Sequence, residues 1–232
     1  MQQRLADYRV FWREFRQAYH TTGAVLPSGR ALAAALSSFV RNGDAGSPAG
    51  TNGTSNTPRR ILEVGPGTGA VTAQIVRDMR TTDRLTFVER NEQFVAHLRD
   101  LLNTHPGFAP ARDRITLVHS GVEELPESEP YDLIVSGLPL NNFSVELVDQ
   151  LLGKMQRLLS PSATLSFFEY VAVRRAKSLV CSRADRERLR GIEAILGRLL
   201  SSSEIRRDLV MANVPPAWVH RVRLNHATVG AT

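Results

Sequence analysis

The chain has 232 residues, 42% of them apolar, and 29 Lys and Arg against 23 Asp and Glu give a formal net charge of +6. That size fits one domain, or one domain with an appendage, around a sizeable core. A lone cysteine, Cys181, excludes a disulfide framework and a Cys-based zinc site, and no apolar run approaches a membrane span. The first residues are interrupted by arginines and read as no secretory signal, which makes the cytoplasm the expected compartment. The positive charge asks for an anionic partner, a nucleic acid or an acidic membrane surface.

Residues 1–20 are predicted to form one amphipathic helix. Leu5, Tyr8, Trp12, Phe15 and Tyr19 share a face, Phe11 stands beside it, and Arg9, Arg13 and Arg16 flank it. Aromatic residues bordered by arginines describe a helix lying in a membrane interface. The same stripe suits a cap helix packed on its own domain, so the pattern leaves both open. A loop then leads through Ser28, a plausible N-cap, into a helix over Arg30–Val40. A Gly-, Ser- and Asn-rich stretch has nothing to bury and reads as a linker. The expected divisions are 1–41, 42–58 and 59–232.

From Arg59 the pattern alternates: strand Ile61–Val64, helix Ala70–Arg80, strand Leu85–Val88, helix Asn91–Leu102. Loop residues to Arg114 precede strand Ile115–His119, strand Leu133–Ser136, helix Val145–Leu159 and strand Thr164–Tyr170. Alternation of this kind predicts an α/β fold, Rossmann-like, with a mostly parallel sheet of seven strands once two final antiparallel strands are added around Pro215–Pro216. The run between the first strand and its helix, Glu63-Val64-Gly65-Pro66-Gly67-Thr68-Gly69, is the most informative in the chain. Glycines leave bare backbone for a ligand, and the following helix presents free N–H groups. The spacing is not that of a dinucleotide fingerprint, and Glu63 would repel a pyrophosphate but suit an ammonium group. Glu89, at the tip of the second strand, is placed to grip a ribose diol.

This run resembles motif I of class I S-adenosylmethionine-dependent methyltransferases. The resemblance makes Glu63, Gly65, Gly67, Gly69 and Glu89 the expected cofactor contacts, with Gly121, Val122, Glu123 and Ser136 at the ends of the next strands. Val122 occupies the position usually held by an acid near the adenine, so Glu123 or backbone is expected to replace it.

Beyond the fourth strand the chain reads Ser136-Gly137-Leu138-Pro139-Leu140-Asn141-Asn142-Phe143. Adenine amino-methyltransferases carry Asn or Asp, then Pro, then an aromatic residue here. Gly137 and Leu140 take the acceptor-binding and stacking positions, which weakens a nucleobase reading. Together with Gly23-Ala24-Val25-Leu26-Pro27-Ser28 and Asn213-Val214-Pro215-Pro216-Ala217, this segment resembles the bacterial phospholipid N-methyltransferases of the rhizobial type and the related ornithine-lipid N-methyltransferases. That resemblance covers nearly the whole chain. It implies methylation of a lipid amine, phosphatidylethanolamine towards phosphatidylcholine or ornithine lipid, and membrane contact through Tyr8, Arg9, Phe11, Trp12, Arg13, Phe15 and Arg16. Leu138, Pro139 and Asn141 become substrate contacts, and Arg174 and Arg175, in the basic stretch 174–190, candidates for the lipid phosphate or carboxylate. Tyr170, Glu169 and His20 are the candidate proton acceptors; Tyr170 ranks first because it matches a tyrosine of the family, although an ordinary half-buried tyrosine fits its position as well. No metal-ligand constellation, nucleic-acid partner or protein partner is expected. An RNA or protein methyltransferase, and a non-catalytic membrane-binding protein on the same fold, remain alternatives.

Overall fold

The structure, a computed structural model, describes residues 27–42, 58–171, 183–213 and 215–223. The helix expected over 1–20, most of the linker, and residues 172–182 lie outside them.

Strand β1 (Arg60–Val64) sits at the centre because every residue from Ile61 to Val64 is buried, as a strand covered on both faces requires. It pairs in parallel with β2 (Arg84–Glu89) on one side and β4 (Tyr131–Ser136) on the other. Outward from these lie β3 (Ile115–His119) and β5 (Leu159–Tyr170), again parallel. β7 (Ala217–Arg223) runs antiparallel to β5, and β6 (Glu204–Val210) closes the sheet, giving the order β3-β2-β1-β4-β5-β7-β6. The strand order reverses between β1 and β4, which opens a crevice at the carboxyl ends of the strands. Helices α1 (Pro27–Asn42), α2 (Ala70–Asp78), α3 (Glu92–Thr104), α4 (Val145–Arg157) and α5 (Arg183–Ser203) cover the sheet.

Most expected elements are present, with three differences. Helix α4 stops at Arg157 rather than Leu159, and the fifth strand begins at Leu159, five residues early. Pro161 forbids continuing the helix, and the strand takes up the irregularity: its register with β4 shifts between Tyr131 and Leu133, and Ser162 adopts φ 65°. The stretch expected as loop before β3 holds 3-10 turns over Pro106–Arg114, started by the His105 ring accepting from the Gly107 N–H at 3.0 Å. The first of the two antiparallel strands expected around Pro215–Pro216 is β6, and it reaches back to Glu204, where mostly exposed, non-alternating side chains leave no strand pattern.

Buried arginines tie the layers together. Arg59 donates to the Val40 carbonyl of α1 and to both carboxylate oxygens of Asp83. Burial alone would raise the Asp83 carboxyl; the bonds from Arg59 and from the Arg80 N–H outweigh it and hold it below its ordinary value. Arg221 reaches from β7 to the Ala35 carbonyl and Ser38 hydroxyl of α1 and to Asp208 of β6.

Candidate active site

The turn after β1 is built by glycine: Gly65, Gly67 and Gly69 have φ of 70°, 56° and 81°. Their surroundings differ. A Cβ on Gly65 would lie 2.6 Å from Leu138 Cδ2, and one on Gly69 2.8 Å from Leu101 Cδ2, so protein side chains fill both spaces. Among the described residues, nothing lies within 4 Å of a Cβ on Gly67. Of the three expected ligand-facing glycines, Gly67 is the one with open space above it.

Two acids stand beside this opening. Glu89, 1% exposed at the end of β2, accepts from the Gly67 N–H at 3.2 Å and the Asn91 N–H at 2.8 Å. Burial pushes its carboxyl above the ordinary value, while the N–H groups of Asn91, Gly67 and Arg90 hold it back. The carboxylate keeps room for a further donor. Glu63 is fully buried in β1, and among the described residues neither of its oxygens has a hydrogen-bond partner. Burial pushes this carboxyl up to about 8, and the Glu89 charge adds to the rise; the hydroxyl and backbone N–H of Thr72 oppose it without closing a hydrogen bond. Thr72 Oγ1 is itself buried and unpartnered.

These residues fit S-adenosylmethionine. A buried carboxyl with two unsatisfied oxygens answers an ammonium group, a carboxylate at the β2 tip answers a ribose diol, and Gly67 leaves the backbone clear between them.

At the next strand ends, Val122 is 3% exposed within the core and offers no polar group. Glu123 folds back over Gly121 and pairs through Oε1 with Arg90 at 2.6 Å. Ser136 is buried, and its hydroxyl accepts from the Leu138 N–H at 3.4 Å. Leu138 and Asn141 are 4% and 6% exposed, and Pro139 is also buried.

The structure gives a steric reason for glycine at position 137. Its N–H donates to the Val64 carbonyl at 2.8 Å, and a Cβ there would come within 2.6 Å of the Gly65 carbonyl oxygen. The β4 end and the β1 turn are pressed together at the place where an asparagine would have to stand. Leu140, at the stacking position, is fully buried.

Tyr170 is half-buried, with its ring edge-on to Phe168 at 5.1 Å, and burial raises its phenol above 10. It therefore stays protonated near neutral pH. Glu169 lies 3.4 Å from His220 Nε2, and the same ring meets Glu204 at 2.6 Å through Nδ1. Burial alone would lower the His220 value; the Glu169 and Glu204 carboxylates beside its ring outweigh that and raise it. His20, Arg174, Arg175 and the membrane candidates Tyr8, Arg9, Phe11, Trp12, Arg13, Phe15 and Arg16 lie outside the described residues.

Two contributors escape sequence reasoning. His220 reads as one more position in an apolar strand. Arg188 is lost in a basic run, yet its Nη1 donates to the Asn141 and Phe143 carbonyls at 2.7 and 2.9 Å. One turn later, a Cβ on Gly191 would lie 2.7 Å from Val145 Cγ2, so α5 sits tightly on the 138–143 loop and the start of α4.

Residues 61–162 match the family model described as a methyltransferase domain. Over its whole length the chain is similar to the 1,6-didemethyltoxoflavin-N1-methyltransferase of Burkholderia thailandensis, solved with 1,6-didemethyltoxoflavin and S-adenosylhomocysteine. The TM-score is 0.63 at 17% identity, covering 96% of this chain and 90% of that one. The chain has the class I methyltransferase fold.

Among curated proteins, it is 29% identical over 113 residues to the ornithine lipid N-methyltransferase of Singulisphaera acidiphila, a stretch covering 47% of this chain and 56% of that protein. It is 33% identical over 99 residues to the probable ribosomal RNA small subunit methyltransferase A of Haloarcula marismortui, covering 43% of this chain and 32% of that one. The chain thus matches about half, or less, of the length of these curated relatives.

Proposed function

We propose that this chain is an S-adenosylmethionine-dependent N-methyltransferase whose acceptor is the amine headgroup of a membrane lipid, phosphatidylethanolamine or ornithine lipid. The observation that carries the acceptor class is the closure at Gly137. With the Gly65 carbonyl oxygen 2.6 Å from a Cβ at that position and Leu140 fully buried, the loop offers neither an amide nor a stacking ring for a nucleobase. The similarity to an ornithine lipid N-methyltransferase points the same way.

When bound, the cofactor supplies a methyl group on a sulfonium. The chain's own residues hold it, with Glu63 ionised against the ammonium and Glu89 on the ribose. Most of the acceleration then comes from placing a neutral amine in line with the methyl carbon. A lipid ammonium must first lose its proton. The Tyr170 phenol, kept protonated, orients the amine through an oxygen lone pair and presents its ring face to the cation. The proton itself leaves to water or to a neighbouring base, with Glu169 and His20 as candidates in place of the first-ranked Tyr170, whose raised phenol keeps its own proton. Arg174 and Arg175 hold the lipid phosphate or carboxylate, and residues 1–20 bring the chain to the inner face of the cytoplasmic membrane.

A second reading, methylation of ribosomal RNA, is favoured by the similarity to ribosomal RNA small subunit methyltransferase A and by the net charge of +6. Purified protein, labelled S-adenosylmethionine and vesicles of phosphatidylethanolamine or ornithine lipid mixed with anionic lipid test the proposal. Label in the lipid extract is expected; label confined to added ribosomal RNA would replace the lipid reading with the second one.

A further inference from the structure

Among the described residues, the large apolar side chains that stand well exposed are Ile205 (46%), Leu209 (42%) and Met211 (67%), and all belong to β6 and the turn that leaves it. Arg206 and Arg207 lie between them and are exposed too. Among the described residues β6 is the outermost strand, so one of its edges has no neighbour in the sheet there.

The register gives this stripe an organised face. Leu209 stands opposite Trp218 across the hairpin, and Arg207 opposite His220, so Arg207, Leu209 and Trp218 project to the same side. The Arg207 guanidinium lies 4.7 Å from the Trp218 ring centroid. Both acids of the strand are engaged from within the sheet, Glu204 by His220 at 2.6 Å and Asp208 by Arg221 at 2.6 Å. Arg206 shares Asp208 at 3.1 Å, and among the described residues no carboxylate pairs with Arg207. The outward face is therefore apolar and cationic together.

Its position relative to the site is also defined. The turn after β6 returns at Ala217, which pairs with Tyr170, and the Val171 N–H donates to the Pro216 carbonyl at 2.8 Å. Met211 and this turn thus stand at the same end of the sheet as Tyr170.

We propose that the β6–β7 hairpin is a docking surface for an anionic lipid bilayer. Leu209, Met211 and Trp218 enter the headgroup layer, and Arg207 meets the lipid phosphates. Tryptophan, long apolar side chains and arginine together suit a surface that is apolar below and anionic above. A second copy of the chain is a poorer occupant, because pairing two β6 edges antiparallel would bring the Arg206 and Arg207 residues of both copies together. The proposal rests on the lipid reading only for its purpose, which is to bring the end of the sheet that carries Tyr170 to the headgroups.

The chain has two tryptophans, so a full-length Trp12→Phe variant leaves Trp218 as the sole indole reporter. It is mixed with phosphatidylglycerol vesicles, with and without brominated acyl chains. Trp218 emission is expected to shift to the blue and to be quenched by the brominated lipid. The double variant Leu209→Asp, Met211→Asp is expected to weaken vesicle partitioning by about tenfold or more through the lost apolar burial, with S-adenosylmethionine affinity unchanged by calorimetry. Arg207→Glu serves as a second variant that leaves the apolar residues in place, and it too is expected to weaken binding. Unquenched Trp218 emission, sedimentation of the variants with vesicles as for the parent chain, or a dimer that the double variant dissolves would each overturn the proposal. Phosphatidylglycerol carries no amine, so failure here leaves the acceptor reading to its own label-transfer assay, and failure there leaves docking standing.

Discussion

Replacing Glu63 by glutamine separates the two states on which the cofactor site depends. The folded, ligand-free chain holds this carboxyl at about 8, against an ordinary value of 4.5 that the unfolded chain retains. Between those values the folded chain keeps a proton that the unfolded chain has lost. Stability therefore falls as pH rises through the window and levels off above about 8, at about 1.4 kcal/mol per pH unit. Glutamine has the size of the protonated acid and does not titrate. Urea unfolding of the parent chain and Glu63→Gln, measured between about pH 5 and 7.5, should differ in slope by that one proton, and near pH 8 the variant should be the more stable. Cofactor binding should work in the opposite sense, because an ammonium beside the carboxyl favours its charged form. Calorimetry at neutral pH in two buffers of different ionisation enthalpy should show the parent chain releasing a proton as it binds S-adenosylmethionine, and tightening as pH rises towards 8. Glu63→Gln should bind more weakly and release none. Parallel stability profiles for the two chains, or binding without proton release, would refute the reasoning.

Glu89→Ala removes the acceptor for the Gly67 and Asn91 N–H groups and the expected ribose contact, so cofactor affinity should fall by about 10- to 100-fold, as lost charged hydrogen bonds imply; calorimetry checks it. Gly137→Ala forces a methyl group onto the Gly65 carbonyl oxygen and should destabilise the chain by about 1–3 kcal/mol in a denaturant titration. Arg188→Gln releases the Asn141 and Phe143 carbonyls. Amide exchange at 138–143 should quicken and turnover of the methyl acceptor should drop, while cofactor affinity stays as in the parent chain.

The central strands were legible in the chain because burial on both faces leaves mostly apolar runs such as Ile61–Val64 and Leu133–Val135. β6 was legible only through the proline turn that follows it, since a strand with Arg206, Arg207 and Asp208 on its surface carries no apolar period of its own. At the site, spacing alone pointed to Glu63 and Glu89 but could not divide the glycines by what fills the space above them. Leu138 and Leu101, 73 and 32 residues beyond Gly65 and Gly69, decide that. The absence of asparagine at position 137 was visible in one letter, and its cause, the Gly65 carbonyl, lies in a turn 72 residues earlier. Arg188 was hidden for the same reason, because its partners are 47 and 45 residues away and its neighbours in the chain form an ordinary solvated basic run.

The central claim is tested most directly by a competition in one vessel. Labelled S-adenosylmethionine is incubated with the parent chain, vesicles of amine lipid and anionic lipid, and ribosomal RNA, then separated into lipid, RNA and protein fractions. Label is predicted in the lipid fraction, dependent on Glu89. Label in the RNA or protein fraction with an unlabelled lipid extract would contradict the account.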